Sequence, residues 1–348
     1  MILTNLISNL NTSKIIGKIE IPINSITFDS RQVTKNSLFV AVKGTITDGH
    51  NFIYDASRSG AIAIICEELP FHLNENVTYI QVIDSSYALG IIASNFYDNP
   101  SSKLKLIGVT GTNGKTTIVT LLYNLFTQLG YKVGLISTVK NFVGNKEYHS
   151  THTTPDPIQL NNLLQQMVTE GCTHCFMEVS SHAICQNRIA GLTFTGGVFT
   201  NITHDHLDYH KTFNDYLKAK KQFFDNLPAT AFALSNIDDK NGKIILQNTK
   251  AYCYYYGINK IAEFKCRILE NSFLGLLLNI DNIEVWTRLI GKFNAYNLLA
   301  TYATAILLNE NKDRILTIIS NIKGAAGRFE CVKNDSIIGI VDYAHTPD

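Results

Sequence analysis

Residues 108–117 read GVTGTNGKTT, and their surroundings leave few ways for this part of the chain to fold. An apolar run from Leu104 precedes them. After them, apolar residues recur at three- and four-residue intervals until Gly130. Such intervals are typical of one face of an α-helix, and a glycine commonly follows the last helical turn. The sequence therefore predicts a strand, a glycine loop and a helix in direct succession.

A loop of this kind is suited to bind phosphate groups. Its backbone N–H groups converge on phosphate oxygens at the positive end of the following helix. Lys115 would reach the terminal phosphates, and Thr116 would offer its hydroxyl to magnesium. The strict pattern has a glycine at position 109, where this chain has Val109. The shorter GTNGKTT still predicts a nucleoside triphosphate site, with a structural turn and a coincidental lysine as the alternative.

Strands and helices alternate along most of the chain. SLFVAV (37–42), AIAIIC (61–66) and VTYIQVI (77–83) predict strands of a small N-terminal unit, and YDNPSSKLK is the best candidate for a linker. Further on, a helical PIQLNNLLQQMVTE precedes the strand-like THCFMEVS (173–180) and TGGVFTNI (195–202). We predict an α/β protein with an N-terminal α/β domain and a central P-loop domain whose sheet is mostly parallel.

The last residues, SIIGIVDYAHTPD, predict a buried strand and the loop after it. Such a strand needs a sheet and helices to cover it, so we expect the beginning of a third, Rossmann-like domain that has been cut off. The expected domains are residues 1–101, 102–333 and 334–348.

Composition excludes several kinds of partner. Lys plus Arg number 30 and Asp plus Glu 29, so no overall field attracts nucleic acid or an acidic membrane. The sequence has no apolar run of about 18 residues and no signal-peptide pattern at its start. We expect a cytoplasmic monomer without membrane insertion. The single CxxC of Cys172 and Cys175 predicts buried thiols rather than a zinc or redox site.

Two segments concentrate potential metal ligands. Glu178 falls at the end of a predicted strand, where a carboxylate would face magnesium; capping a following helix is the alternative. The segment NITHDHLDYH (201–210) gathers three histidines and two aspartates within seven residues. We expect a metal or phosphate role for at least one of these histidines, but the spacing does not single one out.

Lys220 stands out among the lysines of NDYLKAKKQFFDNL. At helical spacing it shares a face with Tyr216 and Phe224, which places it nearer the apolar side than Lys218 or Lys221. A lysine in that position is expected to have a lowered pKa and unusual reactivity. The alternative is an ordinary lysine whose stem lies on apolar surface while its amine reaches water.

The chain resembles the Mur ligases. The motifs GTNGKTT, EVSSHAICQNR, DHLDYH, YLKAKKQFF, GKFNAYN, GRFE and DYAHTPD occur in the order seen in that family, after FDSRQVTKNSLFVAVKGTITDGHNFI near the start. The resemblance implies an ATP-dependent carbon–nitrogen ligase of peptidoglycan synthesis. ATP would phosphorylate the terminal carboxylate of UDP-N-acetylmuramoyl-L-alanyl-D-glutamate, and the amine of a diamino acid, meso-diaminopimelate or L-lysine, would attack the acyl phosphate. ATP, magnesium and a lysine carbamoylated by carbon dioxide are the implied cofactors.

The same resemblance implies the site residues. The catalytic residues would be Lys115, Lys220, His206 and Arg328. The metal ligands would be Thr116, Glu178, His206 and carbamoylated Lys220. The ATP-binding residues would be Gly111, Thr112, Asn113, Gly114, Lys115, Thr116, Thr117, Asn294, Arg328, Asp342 and His345. The residues that bind the UDP-sugar would be Phe28, Ser30, Thr45, Ile46, Thr47, Thr153, Thr154, Ser180, Gln186 and Arg188. His152 and Lys211 depart from residues common in the family.

Three alternatives remain. A folylpolyglutamate synthase would share the phosphate loop, but the DSR and DGHNFI segments before that loop argue against it. A nucleotide-gated regulatory protein would bind ATP without any acyl acceptor. Finally, residues 1–348 are expected to bind the UDP-sugar peptide but to ligate poorly, because most of the family's third domain is absent.

Overall fold

The computed structural model describes residues 1–44, 47–150, 152–203, 205, 207–333 and 338–343. The chain divides into two compact units. The smaller unit contains residues 1–103, 155–166 and 185–192, and the larger unit contains the remainder. The smaller unit thus includes two segments that the sequence-based boundary after residue 101 leaves out. The described part of the expected third-domain segment, 334–348, groups with the larger unit.

The smaller unit is built on a five-stranded sheet. Its strands are β1 (Thr12–Ile16), β2 (Ser25–Thr27), β3 (Ser37–Val40), β4 (Ala61–Cys66) and β5 (Thr78–Val82). They are ordered β1-β5-β4-β3-β2, with β1 antiparallel to β5 and the other pairs parallel. The helices are α1 (Leu3–Leu6), α2 (Ile53–Ser59) and α3 (Ser85–Phe96). Short 3-10 helices lie at Ser30–Gln32, Gly49–Phe52 and Pro100–Lys103.

Apolar residues lie on both faces of β3 and β4, so both faces of this sheet must be covered. Leu38 and Val40 enter one core, whereas Phe39 enters the other. Successive strand residues point to opposite faces, so a continuous apolar run is buried only when both faces are covered. All three strands predicted in this region form. The predicted linker contains the last 3-10 helix, in which Pro100 is buried.

The larger unit contains an eleven-stranded sheet. Its strands are β6 (Lys105–Thr110), β7 (Val133–Ile136), β8 (Lys140–Val143), β9 (Lys146–His149), β10 (His174–Glu178), β11 (Gly196–Phe199), β12 (Phe232–Asn236), β13 (Tyr252–Gly257), β14 (Phe264–Ser272), β15 (Gly275–Ile280) and β16 (Ile283–Thr287). The order is β16-β15-β14-β13-β12-β11-β6-β10-β7-β8-β9. The strands from β14 through β7 in that order pair in parallel, which confirms the predicted mostly parallel sheet.

Helices follow β6 along the chain, and some of them cover this sheet. They are α4 (Lys115–Gln128), α5 (Pro157–Thr169), α6 (Ser181–Cys185), α7 (Leu207–His210), α8 (Phe213–Asp225), α9 (Gly242–Ile245), α10 (Lys292–Leu307) and α11 (Lys312–Asn321). The main core lies where α4, α10 and α11 pack on the sheet through residues such as Leu121, Leu298 and Ile319. Part of α5 belongs to each unit. No described helix is both long and apolar enough to cross a bilayer.

Two features differ from expectation. Both edges of the large sheet are antiparallel, through β14, β15 and β16 at one edge and β7, β8 and β9 at the other. The expected buried strand near the end of the chain is β18 (Ile338–Val341). Among the described residues, it pairs with β17 (Glu330–Lys333) in a two-stranded sheet. Ile340 and Val341 are 41% and 45% exposed, because a two-stranded sheet cannot bury both of its faces.

The cysteine prediction holds for the CxxC pair. Cys172 and Cys175 are free thiols and both are buried. Burial raises the pKa of each thiol above its ordinary value. Protonated, buried thiols act as small apolar side chains.

Candidate active site

The predicted strand, glycine loop and helix are β6, residues 111–114 and α4. Gly114 precedes the helix with a φ of 89°, in the left-handed region that favours glycine. A Cβ at this position would lie 2.7 Å from Asn297 Oδ1. Both the backbone conformation and the close approach of α10 therefore require a glycine at this position.

Residues after β11 hold the loop in place. The Thr112 N–H donates to Asn201 O at 2.8 Å, and the Asn113 N–H donates to Asn201 Oδ1 at 3.0 Å. Thr200 Oγ1 donates to Asn113 O at 2.6 Å. With these loop amides engaged, the N–H groups of the first turn of α4 are left to bind an anion, since they have no partner within the helix.

Lys115 folds back onto the loop in this structure. Its Nζ donates to Gly111 O at 2.9 Å and to Thr112 O at 2.8 Å. Burial lowers the pKa of Lys115, and Arg328 adds to that shift, whereas the carboxylates of Glu178 and Asp205 oppose it. The lysine predicted to reach phosphate therefore begins α4, where two carboxylates and an arginine influence its charge.

Lys220 also reaches the glycine loop. Its side chain is 1% exposed, whereas Lys218 is exposed and Lys221 half-buried, as the helical spacing predicted. Lys220 Nζ donates to Gly111 O at 3.0 Å and lies 4.4 Å from the centroid of the Tyr216 ring. Tyr216 Oη lies 3.1 Å from Thr112 Oγ1. Helical spacing placed Tyr216 only on the apolar face of the helix that carries Lys220. Its contact with the loop could not be predicted from spacing, because that contact depends on how α8 packs.

Glu178 ends β10 and is 1% exposed. Its Oε1 accepts a hydrogen bond from the Thr138 N–H at 2.8 Å. Its Oε2 is buried and has no hydrogen-bond partner among the described residues. A buried carboxylate oxygen without a donor suits a cation, and oxygen ligands such as Glu178 and the Thr116 hydroxyl are those that magnesium prefers.

The predicted histidine segment is only partly described. His206, assigned to metal and catalysis by the resemblance, and His204 lie outside the described residues. His210 is buried, and its Nε2 lies 2.9 Å from Ser181 Oγ. Among the described residues no group of three or more His, Cys, Asp or Glu side chains could hold a metal. The ligand set with His206 and Lys220 remains a prediction.

A pocket of about 470 Å³ adjoins the loop. Its lining includes the predicted ATP residues Asn113, Gly114, Thr117, Arg328 and Asp342. Sequence reasoning missed several other lining residues, among them Asn201, Asp238, Phe293, Tyr296, Asn297 and Phe329. Asn201 and Asp238 follow the strands β11 and β12, so the rule that ligands bind at the carboxyl ends of parallel strands would have indicated both.

Asn294 is placed behind this pocket. It is 3% exposed, its Nδ2 donates to Ile290 O at 2.8 Å, and its Oδ1 accepts from Asn297 Nδ2 at 3.0 Å. Asn294 therefore orients Asn297, which lines the pocket. Arg328 Nε is buried without a hydrogen-bond partner among the described residues, so a donor is left for an anionic group. His345 lies outside the described residues.

The expected residues for the UDP-sugar fall in both units. In the smaller unit, Phe28 is 41% exposed, and Thr47 is also exposed. Arg188 donates from Nε and Nη2 to Gln186 Oε1, at 2.9 and 2.7 Å. Ser30 begins a 3-10 helix in this unit. Thr45 and Ile46 lie outside the described residues.

Thr153, Thr154 and Ser180 belong to the larger unit, near Glu178. Thr154 Oγ1 donates to Glu178 O at 2.9 Å and accepts from the Ser180 N–H at 3.2 Å. Thr138 Oγ1 donates to Thr153 Oγ1 at 3.0 Å. Thr154 and Ser180 therefore lie at the carboxyl end of β10, and Thr153 contacts Thr138, whose N–H donates to Glu178.

Comparisons with known proteins agree with this geometry. Residues 109–305 match the family model described as the Mur ligase middle domain, and residues 22–97 match the Mur ligase family catalytic domain. The UDP-N-acetylmuramoyl-L-alanyl-D-glutamate–2,6-diaminopimelate ligase of Cytophaga hutchinsonii is 57% identical over 350 residues, which cover 100% of this chain and 72% of the relative. The ligase of the same name from Bacteroides fragilis is 54% identical, with the same coverage. A solved structure of a ligase with that name is similar with a TM-score of 0.84 and 25% identity, over 100% of this chain and 72% of that one.

Proposed function

This chain belongs to the Mur ligase family, and we propose that it is the ATP-dependent ligase that joins 2,6-diaminopimelate to UDP-N-acetylmuramoyl-L-alanyl-D-glutamate. The observation that carries the proposal is the phosphate loop, residues 111–117, at the edge of the 470 Å³ pocket. The names of the two curated relatives supply the substrates. They favour 2,6-diaminopimelate over L-lysine, a choice that the sequence alone left open.

The reaction needs two displacements. A carboxylate oxygen of the dipeptide attacks the γ-phosphorus of ATP, the bond from that phosphorus to ADP breaks, and an acyl phosphate forms. The amine of the diamino acid then attacks the acyl carbon. Phosphate leaves, and the new amide nitrogen loses a proton. Activation is required because a carboxylate is a poor electrophile and phosphate is a good leaving group.

The chain's own residues hold the phosphates. The N–H groups of the first turn of α4 would bind phosphate oxygens, assisted by the positive end of the helix. Lys115 would leave the carbonyl oxygens of Gly111 and Thr112 and donate instead to the terminal phosphate. Burial lowers the pKa of Lys115, whereas the carboxylates of Glu178 and Asp205 oppose that shift and so favour the charged amine.

Mur ligases use magnesium with ATP. When bound, magnesium would neutralise phosphate and carboxylate oxygens that otherwise repel each other. Thr116 and Glu178 would hold one ion, and the unpartnered Oε2 of Glu178 supports that assignment. We propose His206 and Lys220 for a second ion.

We further propose that Lys220 is carbamoylated. Its neutral amine attacks carbon dioxide, a C–N bond forms, and one proton is released, so that a cation becomes a carboxylate-like ligand. The carbamate nitrogen keeps one N–H, which can still donate to Gly111 O. A carbamate signal in the ¹³C NMR spectrum after labelling with ¹³CO₂, absent from Lys220→Met, supports this proposal. Equal spectra of the two proteins refute it.

The test of the function follows product by mass spectrometry, which detects slow turnover. The protein is incubated with ATP, magnesium and the nucleotide-sugar dipeptide, with either 2,6-diaminopimelate or L-lysine. We expect ATP-dependent addition of 2,6-diaminopimelate at a low rate. ATP binding without any such product would favour a nucleotide-gated regulatory protein, and addition of L-lysine alone would overturn the proposed substrate.

We also propose that the protein is a monomer in the cytoplasm, where ATP and nucleotide-sugars are available. Light scattering from the purified protein checks the first point. A mass near that of one chain supports it, and a mass of about twice that value contradicts it.

A further inference from the structure

The pocket beside the phosphate loop runs along the carboxyl ends of three neighbouring strands. Asn113 of the loop follows β6, Asn201 follows β11 and Asp238 follows β12, and all three residues line the pocket. Neighbouring strands lie about 4.8 Å apart, so Asp238 is about 10 Å along the sheet from the end of β6. When the loop holds the phosphates of ATP, the end of the pocket at Asp238 is therefore left for the nucleoside.

Tyr296 lies beside Asp238 at this end of the pocket. It projects from α10 and lines the pocket. Its hydroxyl donates to Asp238 Oδ2 at 2.9 Å and accepts from Asn259 Nδ2 at 3.1 Å. A carboxylate only accepts hydrogen bonds, so the hydroxyl proton is committed to Asp238. The flat ring, rather than that proton, is what Tyr296 presents to a ligand.

Asp238 is itself fixed by the turn after β13. Its Oδ2 accepts from the N–H groups of Ile258 and Asn259 at 2.7 and 2.9 Å, and its Oδ1 accepts from the Lys260 N–H at 2.8 Å. Burial raises the pKa of Asp238, but these N–H groups and the Tyr296 hydroxyl together lower that pKa below its ordinary value. The four donors match the roughly four lone-pair sites of a carboxylate, so Asp238 is suited to hold Tyr296 and not a ligand.

Further hydrogen bonds tie Asp238 to the phosphate loop. Asn236 Oδ1 accepts from the Asp238 N–H at 3.0 Å, and Asn236 Nδ2 donates to Thr200 O at 2.9 Å. Thr200 Oγ1 donates in turn to Asn113 O. The position of the Tyr296 ring relative to the phosphate loop is thus set through residues at the ends of β11 and β12.

We propose that Asp238 is a positioning residue that fixes the Tyr296 ring as a wall of the nucleoside end of the ATP pocket. The inference rests on the proposed function, in which the phosphate loop holds ATP. Asp238 acts through the Tyr296 hydroxyl and does not touch the nucleotide. A ring that is ordered before binding loses less conformational freedom on binding, and its face offers apolar surface to a planar base.

The first experiment titrates ATP and inorganic tripolyphosphate into the whole chain by calorimetry, with magnesium present. Tyr296→Phe removes the hydroxyl, and Asp238→Asn places an amide NH₂ where backbone N–H groups need an acceptor. Each substitution should raise the Kd for ATP about fivefold, because the freed ring must be ordered on binding. The Kd for tripolyphosphate should not change, since that ion has no nucleoside.

Two results of this experiment would overturn the inference. One is the same ATP affinity in both variants as in the parent. The other is an equal loss of affinity for tripolyphosphate, because Asp238 would then act on the phosphate loop and not on the nucleoside end.

Tyr302→Phe and Asp281→Asn are the matched controls. Tyr302 also lies on α10 and donates its hydroxyl to an aspartate, Asp281 Oδ2, at 2.5 Å. Tyr302 is 1% exposed and belongs to the main core. Both controls should lower stability in urea and leave the Kd for ATP unchanged. A loss of ATP affinity in Tyr302→Phe as large as that in Tyr296→Phe would trace the effect to a weakened α10 and contradict the proposed role.

The double variant Asp238→Asn/Tyr296→Phe tests whether Asp238 acts through Tyr296. Substitutions that break the same interaction are not additive. The double variant should therefore bind ATP about as weakly as the weaker single variant. Two independent losses of about fivefold would instead multiply to about 25-fold, and that result would contradict the inference.

The outcomes separate this inference from the proposed function. If the parent protein fails to bind ATP, the proposed function fails and the inference fails with it. If the parent binds ATP and forms product, but both single variants bind ATP as the parent does, the inference alone fails.

Discussion

Lys220 Nζ lies 3.0 Å from the carbonyl oxygen of Gly111, the residue with which the phosphate loop begins. Lys115 Nζ donates to the same oxygen at 2.9 Å. Two lysines from different helices, α8 and α4, therefore meet at one carbonyl group. Such a concentration of amines is expected where phosphate and carboxylate oxygens must be brought together.

Removing the Tyr216 hydroxyl should loosen the loop. Tyr216→Phe deletes the Oη atom that lies 3.1 Å from Thr112 Oγ1 and retains the ring beside Lys220. Since one hydrogen bond is worth about 1 kcal/mol, urea unfolding should show a loss of about that size, and ATP affinity should fall by up to about tenfold. Tyr123→Phe removes a hydroxyl that donates to Gly144 O at 2.8 Å, and should reduce stability without changing ATP affinity. Unchanged ATP affinity in Tyr216→Phe would rule out this role.

Glu178→Gln should raise the magnesium requirement. The amide oxygen can still accept from the Thr138 N–H, but the buried charge next to the loop is lost. The magnesium concentration for half-maximal ADP formation should rise by at least about tenfold, the scale seen even for residues that only support metal ligands. Glu170→Gln alters an exposed carboxylate paired with Lys132 and should change nothing. The same magnesium dependence in both variants would remove Glu178 from the metal site.

His174 should make stability depend on pH. It is 1% exposed, it packs against Phe126 and Tyr131, and its Nε2 has no hydrogen-bond partner among the described residues. Burial, aided by Lys105, lowers its pKa to about 4. The unfolded chain binds a proton below about pH 6.5, so this group's contribution is full above that pH and is lost as the pH falls toward 4.

The size of that effect can be measured against a variant. As the pH falls from about 6.5 to about 4, the free energy of unfolding of the parent should decrease by about 3 kcal/mol more than that of His174→Phe. His72→Phe, at an exposed site, should keep the parent's pH dependence. If His174→Phe also kept the parent's pH dependence, the buried imidazole would not be the source of that dependence.

Local patterns predicted the centre of the larger unit well. β6, the glycine loop and α4 each follow from a run of about four to fourteen residues, and the comparisons confirm the resemblance to the Mur ligases. The burial of Lys220 also followed from helical spacing, because its apolar neighbours lie on the same helix.

Contacts between segments that are far apart in the sequence could not be predicted from local patterns. Asn201 accepts a hydrogen bond from Asn113, which lies almost ninety positions earlier in the sequence. No local periodicity predicts such a contact. Tyr296 lines the pocket on α10 and donates its hydroxyl to Asp238 Oδ2, which lies 58 residues earlier. The antiparallel edge strands were missed because pairing partners, not propensity, decide strand direction.

The central claim is that Lys115 holds the phosphate that activates the substrate carboxylate, and trapping the acyl phosphate tests it most directly. The protein, ATP, magnesium and the nucleotide-sugar dipeptide are mixed with hydroxylamine, which converts an acyl phosphate to a hydroxamate. We predict ATP-dependent hydroxamate from the parent and from Lys105→Ala, an exposed lysine at the far end of β6. Lys115→Ala should form at least about a hundredfold less while binding uridine diphosphate normally. Hydroxamate formation by Lys115→Ala at the parent's rate would contradict the account.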